Sequence, residues 1–287
     1  NGLRYLVTDT CIRLLGNREN KLDFSRINRI KAGDYKSKVS IVTNDSFGEL
    51  GDIFNEMTDS IDEKTCRIIE IQNSIITGMA TMVESRDNST GGHIQRTSDC
   101  VKIFVNTLRM MPQFSSWCNL SFCERMIKAA PMHDLGKIAV DDSILRKPGK
   151  FEPEEYEQMK THSTKGALIV QKVLKETTDE KFKRLAINVA HYHHEKWNGT
   201  GYPTGLKEEE IPVEARIMAL ADVFDALVSK RCYKEAKTYD EAFTIIENDL
   251  GKHFDPEIGK IFLECRPQLE EYYMNALRTE SLFDSMD

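Results

Sequence analysis

Residues 132–137 read Met132-His133-Asp134-Leu135-Gly136-Lys137, the densest of the motifs that decide how this chain is interpreted. Adjacent His133 and Asp134 can place an imidazole and a carboxylate on one metal ion, and the second carboxylate oxygen can bridge to another metal. Lys137 lies one helical turn after His133, so its ammonium could face the same cleft. A His-Asp pair alone is common, so its meaning depends on the rest of the chain.

Histidines and carboxylates recur in four more short motifs. Two adjacent histidines before a glycine-rich loop are a suitable pair of ligands at a helix end, and two carboxylates three residues apart share one helix face. Any one of these histidines alone is more often a surface or core residue, so the joint pattern carries the prediction. The motifs are Asp87-x-x-Thr90-Gly91-Gly92-His93-x-x-Arg96, Thr161-His162-Ser163-x-x-Gly166, Ala190-His191-Tyr192-His193-His194-Glu195 with its continuation to Gly201-Tyr202-Pro203, and Asp222-Val223-Phe224-Asp225.

The hydropathy pattern predicts an all-α fold. Apolar residues recur at three- and four-residue intervals, and alternating polarity is scarce. Glycine and proline cluster at residues 147–153 and 198–212, which we interpret as the two main loops. Predicted helix starts are the capping boxes Ser121 with Glu124, Thr177 with Glu180 and Thr238 with Glu241, and the Asp255-Pro256 pair.

The composition excludes several classes of protein. A net charge of -7 argues against a general binder of DNA or RNA polymers, although a local cationic pocket still permits a small anionic substrate. Seven cysteines without a Cys-x-x-Cys pair indicate neither a disulfide framework nor a thiolate zinc site. No signal peptide or membrane span is visible. The chain begins with Asn rather than Met, which suggests a fragment.

Together the motifs resemble those of the HD-GYP family, a branch of the HD-domain metal-dependent phosphohydrolases. The resemblance runs from about Glu84 to about Asp255 and includes Lys147-Pro-Gly-Lys150 and Ser229-x-Arg231-x-Tyr233-Lys234. It implies an HD-domain helical bundle that hydrolyses cyclic di-GMP to pGpG by attack of a hydroxide bridging two metals, and it leaves open whether the product is cut further to GMP.

The resemblance also implies a ligand set. Iron or manganese is favoured, while zinc and nickel remain open because histidine-rich sites with carboxylates suit all four. Some relatives bind a third metal through a Glu at the position of Ser89, so a two-metal centre is expected. The first metal is assigned to His93, His133, Asp134 and Asp222, and the second to Asp134, His162, His193 and His194.

Other residues receive roles from the same resemblance. Asp134 and Lys137 are expected to be catalytic, with Lys137 stabilising phosphate charge or protonating the leaving group. The expected substrate-binding residues are Lys137, Tyr202, Arg231 and Lys234. The alternative for Tyr202 is an aromatic residue that anchors the loop, and the alternative for Arg231 and Lys234 is an exposed charge pair. Asp225 is expected to orient a ligand. His191 and His253 are expected to be structural, and Asn198, where the family usually has Asp, to tune the loop.

Residues 17–62 resemble a HAMP module, a helix–connector–helix unit that dimerises as a parallel four-helix bundle. The resemblance rests on the Gly33-Asp34 turn, on Asp45-Ser46-Phe47-Gly48-Glu49-Leu50 and on Phe54-Asn55-Glu56-Met57. The usual proline early in the first helix is missing, and residues 1–16 fit poorly. A helical hairpin packed on the main domain is the alternative.

An apolar seam of Ile61, Ile68, Ile71, Ile75 and Met79 continues beyond this module and suits a helix paired with its twin. The expected domains are a HAMP-like module at 1–62, a connecting coiled-coil helix at 63–83, and a catalytic domain at 84–287 with a loose tail after Asn275. The resemblance implies a parallel homodimer through the first two. It also implies the cytoplasmic portion of an inner-membrane-anchored bacterial sensor, whose membrane segments lie outside this chain.

Two alternative functions stay open. One is a catalytically silent receptor for the cyclic dinucleotide, which the complete ligand set and Lys137 disfavour. The other is a different HD-type nucleotide phosphohydrolase, which the Gly-Tyr-Pro motif disfavours.

Overall fold

The computed structural model describes residues 24–39, 46–87, 91–229 and 236–284. Within these ranges the regular structure is helical and contains no strand, so the all-α prediction is confirmed. Short 3-10 segments lie at Pro112–Phe114, Ala130–Met132, Leu135–Ala139 and Glu208–Glu210. The described α-helices are α1 (Phe24–Lys31), α2 (Ser46–Glu84), α3 (His93–Met110), α4 (Leu120–Ala129), α5 (Asp142–Leu145), α6 (Pro153–Val173), α7 (Glu180–Tyr192), α8 (Val213–Val228), α9 (Tyr239–Asn248), α10 (Pro256–Glu264) and α11 (Arg266–Asp284).

The chain divides into two compact units, residues 1–74 and 75–287, whose boundary falls inside α2. The boundaries expected at residues 62 and 83 stay predictions. No helix in the described ranges has both the length and the apolar character needed to cross a membrane.

In the first unit, the backbone after α1 turns at Gly33, whose φ of 103° favours glycine. Asn55 of α2 then holds the connector, because its side chain accepts from the Val39 N–H at 2.9 Å and donates to the Val39 carbonyl at 2.8 Å. The small apolar cluster of this unit consists of Ile27, Ile30 and Val39, with Tyr35 and Phe54 packed against them.

The main core lies in the second unit, where helices bury one apolar face each. Phe104 of α3, Phe224 of α8 and Phe262 of α10 are fully buried. The Phe104 and Phe262 rings are 5.0 Å apart, and the Phe224 and Phe262 rings 5.6 Å apart. Burying each such side chain stabilises the fold by roughly 1.5–3 kcal/mol. This core sets the relative positions of α3 and α8, which carry candidate ligands.

Two predicted helix starts are confirmed. The Thr238 hydroxyl accepts from the Glu241 N–H at 3.2 Å while Glu241 accepts from the Thr238 N–H at 2.9 Å, a complete capping box. Asp255 accepts from the backbone N–H groups of Glu257 and Ile258, with Pro256 in the first helical position.

Two predicted helix starts are wrong. The cap of α4 is Asn119 rather than Ser121, and the cap of α7 is Asp179 rather than Thr177. Asn and Asp cap at least as well as Ser and Thr, so a good cap two residues away took the position in each case.

The loop predictions agree with the structure, since residues 146–152 join α5 to α6 and the segment between α7 and α8 contains only the 3-10 turn Glu208–Glu210. Helix α11 continues past Asn275 as far as Asp284, and the loose tail expected after Asn275 stays a prediction.

Candidate metal centre

The His133-Asp134 segment lies between two 3-10 turns and packs closely against α6. A Cβ on Gly136 would overlap the carbonyl oxygen of His162, and it would lie 2.5 Å from the backbone nitrogen of Gly166. Only glycine allows this approach, because no real Cβ tolerates such contacts. The close packing brings Asp134 next to His162.

The first group of predicted ligands converges on one point. The Nε2 atoms of His93 and His133 are 3.3 Å apart. Asp222 Oδ1 lies 3.5 Å from the first of these nitrogens and 4.0 Å from the second. Asp134 Oδ2 is 3.5 Å from His133 Nε2. A tetrahedral metal bound to two imidazole nitrogens at about 2.1 Å holds them about 3.4 Å apart, so the spacing suits a shared cation.

The second group lies on the other side of Asp134. The Oδ1 atom of Asp134 is 3.4 Å from His162 Nε2 and 3.7 Å from His193 Nε2. One atom from each of these residues and one from His194 all lie within 4.8 Å of one another. The two oxygens of Asp134 therefore face two different groups of imidazoles.

In three buried histidines, the nitrogen that faces away from the centre, Nδ1, holds the ring in place by a hydrogen bond. The Nδ1 atom of His133 lies 2.8 Å from the Ala130 carbonyl, and that of His162 lies 2.7 Å from the Met159 carbonyl. The Nδ1 atom of His193 lies 2.9 Å from the Val189 carbonyl. A carbonyl only accepts, so Nδ1 carries the proton and Nε2 presents a lone pair to the centre.

Buried polar atoms without hydrogen bonds concentrate at this point. Among the described residues they include Asp134 Oδ1, His162 Nε2 and His193 Nε2. Such atoms are rare in folded proteins because leaving them unpaired is costly. All three are acceptors, so the residues present fit bound cations.

The charge state of the centre also suits cations. Burial lowers the pKa of His133 and of His162 to about 4, and it lowers the pKa of His194 well below its ordinary value. Burial alone would raise the pKa of Asp134, but Lys137 and the neighbouring imidazoles hold it well below its usual range. At neutral pH the imidazoles of His133, His162 and His194 are therefore uncharged and the Asp134 carboxylate is ionised, which are the forms that bind metals.

Lys137 is held at the edge of the centre by two carboxylates. Its ammonium is 2.8 Å from Asp134 Oδ2 and 3.0 Å from Asp87 Oδ2. Although burial opposes it, these two partners raise the pKa of Lys137 above its ordinary value. Sequence reasoning assigned no role to Asp87, although it is the first residue of the motif that ends in Arg96.

Behind His93 lies a buried charged pair. Asp225 accepts from His93 Nδ1 at 2.7 Å and from Arg96 Nε at 2.7 Å. Burial would raise the pKa of Asp225, but His93 and Arg96 hold it far below its ordinary value. Asp225 therefore lies where a residue that orients His93 should lie, and Arg96 is a partner that sequence reasoning missed.

The Gly-Tyr-Pro loop borders the second group. The ring of Tyr202 lies 4.8 Å from that of His194 and 6.3 Å from that of His162. Buried Glu195 holds this loop by accepting from the N–H groups of Thr204 at 2.7 Å and Gly205 at 3.0 Å.

The remaining predicted residues lie elsewhere. Arg231, Lys234 and Ser89 fall outside the described residues. His191 does not belong to either candidate ligand group, and its Nε2 lies 3.5 Å from the Thr164 hydroxyl. The ring of His253 stacks on Phe254 at 4.3 Å.

An all-helical domain that gathers histidines and aspartates around such a centre has a counterpart among known families. A family model described as an HD domain matches residues 77–258, and the chain belongs to this family.

Three curated relatives show what the chain is similar to. A Vibrio cholerae serotype O1 protein named "Cyclic di-GMP phosphodiesterase" is 39% identical over 234 residues, covering 82% of this chain and 48% of that protein. A Thermotoga maritima protein of the same name is 46% identical over 145 residues, covering 50% and 38%. The Vibrio cholerae "3'3'-cGAMP-specific phosphodiesterase 2" is 35% identical over 195 residues, covering 68% and 35%. The chain thus spans less than half the length of each.

Proposed function

We propose that this chain carries the catalytic domain of a metal-dependent phosphodiesterase of the HD-GYP type that hydrolyses cyclic di-GMP. The observation that carries the proposal is the position of Asp134, whose two oxygens face two separate groups of imidazole nitrogens. The names of two of the relatives support the substrate.

The proposed centre holds two divalent cations, with iron or manganese favoured over zinc or nickel. Three buried acceptors without hydrogen bonds support cation binding, and the mixed imidazole and carboxylate donors suit these metals. His93, His133, Asp134 and Asp222 would hold one cation, and Asp134, His162, His193 and His194 would hold the other.

Two cations bound there would supply an activated water and withdraw charge from the phosphodiester. The chain itself supplies a fixed positive charge, since Lys137 is held between Asp134 and Asp87 and stays protonated at neutral pH. Its ammonium would neutralise charge on the phosphate oxygens or donate a proton to the leaving 3'-oxygen.

Recognition of the nucleotide is assigned to Tyr202, Lys137, Arg231 and Lys234. Tyr202 is suitably placed to stack on a base or to bind a phosphate, since it lies beside His194. Lys137, Arg231 and Lys234 would bind phosphate, a guanidinium fork being well matched to a phosphodiester. The expected product is pGpG, with further hydrolysis to GMP.

Turnover of defined substrates tests the proposal. Protein purified without oxygen is incubated with cyclic di-GMP or 3'3'-cGAMP in Mn²⁺ or Fe²⁺, and the products are separated by liquid chromatography. We expect pGpG and then GMP, with cyclic di-GMP consumed faster. Binding without turnover would instead identify a silent receptor. Faster turnover of 3'3'-cGAMP would reassign the substrate. If the protein neither binds nor hydrolyses either nucleotide, the proposal is rejected.

We also propose that residues 1–62 form a HAMP-like module and that the chain forms a parallel homodimer through it and α2, as part of a membrane-anchored sensor. The supporting observation is an apolar stripe on α2 with a seven-residue repeat. Ile61, Ile68, Ile75 and Met82 are 37%, 56%, 56% and 72% exposed. A seven-residue apolar repeat suits pairing with an identical helix, and movement along this pair would regulate the catalytic domain.

A further inference from the structure

The side chain of Glu84, the last residue of α2, binds the backbone of His93. His93 is the first residue of α3 and a candidate metal ligand. The Glu84 side chain is buried, and its Oε1 atom accepts from the His93 N–H at 2.8 Å. Sequence reasoning assigned Glu84 no role. The contact joins the end of a 39-residue helix to the start of the helix that carries His93.

The N-terminus of α3 has no cap of its own. Its N-cap residue is Gly92, which has φ 90° and no side chain to accept a hydrogen bond. The first N–H groups of a helix lack partners within it and carry partial positive charge, so a carboxylate there is favourable. Glu84 supplies from a different helix the cap that a serine or aspartate at position 92 would normally provide.

The ring of His93 is held separately from its backbone. Its Nδ1 atom is bound by Asp225 at 2.7 Å, and Asp225 is in turn bound by Arg96. Glu84 thus fixes the backbone, Asp225 fixes the ring, and together they determine where Nε2 lies. The two contacts come from different helices, α2 and α8, so a displacement of α2 acts on the first contact alone.

We infer that Glu84 is a positioning residue through which the end of α2 holds His93 in its metal-binding place. The inference rests on the proposed metal centre. It deepens the proposed regulation because it names the contact by which movement of α2 reaches that centre. If the inference holds, loss of the cap weakens binding of the cation held by His93 and leaves binding of the cation held by His162 and His193 unchanged.

Metal titration of Glu84→Ala tests this. The full chain, freed of metal, is titrated with Mn²⁺, and bound metal is followed by calorimetry and by the electron paramagnetic resonance signal of coupled Mn²⁺ pairs. We expect wild type to bind two ions. In the variant, we expect one ion to bind with roughly 10- to 100-fold lower affinity, as when outer partners of metal ligands are lost. The coupled signal should weaken, and saturating Mn²⁺ should restore turnover.

Two further variants separate positioning from general loss of structure. Glu84→Gln keeps an acceptor for the His93 N–H and should bind both ions within a few-fold of wild type. Thr238→Ala removes a cap of the same kind from α9 and should leave both affinities unchanged. His93→Ala and His162→Ala provide the reference patterns for loss of each ion.

Each result decides between the two proposals. Two normal affinities in Glu84→Ala would overturn the positioning role while leaving the enzyme proposal intact. Selective loss of the ion held by His162, as in His162→Ala, or an equal fall in affinity for both ions, would also overturn the positioning role. Failure of wild type to bind any metal would reject the proposed centre itself.

Discussion

The Nε2 atoms of His93 and His133 lie 3.3 Å apart and face each other, although 40 residues separate them in the chain. Each ring uses Nδ1 to bind an acceptor, Asp225 for His93 and the Ala130 carbonyl for His133. The Nε2 atom of His133 presents a lone pair, and although burial lowers the pKa of His93, Asp225 raises it overall, so a cation that binds both rings displaces a proton from His93. The protein core therefore holds two candidate ligands close enough to share one cation.

Asp134→Ala removes the carboxylate that faces both groups of imidazoles. We expect loss of both metals and a fall in phosphodiesterase activity exceeding the roughly 100-fold that loss of an outer partner can cost. Metal content per chain and turnover of cyclic di-GMP measure the effect. His191→Ala is the matched control, since His191 belongs to neither ligand group and should keep full metal content. Retention of both metals by Asp134→Ala would contradict the assignment.

Lys137→Met removes the partly buried ammonium but no metal ligand. We expect kcat to fall by about 10²–10³, the scale for losing one preorganised charge-stabilising group, with both metals still bound. Steady-state kinetics and metal analysis provide the two readouts. Lys183→Met, which removes a lysine that pairs with Glu180 on α7, serves as control and should match wild type. An unchanged kcat for Lys137→Met would show that this ammonium takes no part in the reaction.

Acid should destabilise the metal-free protein before its carboxylates titrate. Burial lowers the pKa of His133 and His162 to about 4 from 6.5. Between these values the unfolded chain binds more protons than the folded one, so the free energy of unfolding falls as pH drops from 6.5 to 4. His93 acts in a different pH range: burial lowers its pKa, but Asp225 outweighs this and raises it, so the stability that His93 contributes is fully present below pH 6.5 and is lost as pH rises above 6.5.

Urea unfolding of metal-free protein at pH 7 and pH 5 measures this dependence. His162→Gln removes one of the imidazoles whose pKa burial lowers and should reduce the difference in the free energy of unfolding between the two pH values. An equal difference in wild type and His162→Gln would contradict the stated cause.

Gly136→Ala should separate the His133-Asp134 segment from α6, because the added Cβ would overlap the His162 carbonyl. We expect a loss of about 1–3 kcal/mol in the free energy of unfolding, typical of an overpacked core, together with weaker metal binding. Gly78→Ala is the control, since a Cβ there meets nothing within 4 Å. It should stabilise α2 by about 0.5–1 kcal/mol. Normal metal binding by Gly136→Ala would show that this close packing is dispensable.

Disulfide cross-linking tests the proposed parallel dimer. In a parallel pair, the residues of the stripe Ile61, Ile68, Ile75 and Met82 each meet their own copy, so Ile75→Cys should give covalent dimers under mild oxidation. Cys66 is exposed and lies five residues, about 140° around the helix, from Ile61. It is therefore a built-in control and should not cross-link in wild type. Dimers through Cys66 but not through residue 75 would reject the proposed interface.

An insertion in α2 tests regulation through the same helix. One alanine inserted after Cys66 rotates the following residues by about 100°, whereas seven inserted residues nearly preserve their direction. We expect the single insertion to change the hydrolysis rate and the seven-residue insertion to leave it near wild type. Equal rates in all three proteins would count against control through α2.

Local features were predictable from sequence to the extent that they depend on near neighbours. The helical spacing, the two main loops and the Thr238 and Asp255 caps follow from interactions within a few residues, and each is confirmed. The Ser121 and Thr177 caps failed because Asn119 and Asp179 compete within the same few residues, and local rules rank such neighbours poorly.

The sequence by itself determined which residue types are available to hold cations, because the histidines and aspartates stand in short motifs. Only the tertiary structure decided how they are used. The contact of His93 with Asp225 spans 132 residues and that of Lys137 with Asp87 spans 50, while Glu84 caps a helix that is not its own. Such contacts depend on how buried helix faces pack, and packing is a property of the whole core rather than of any one segment.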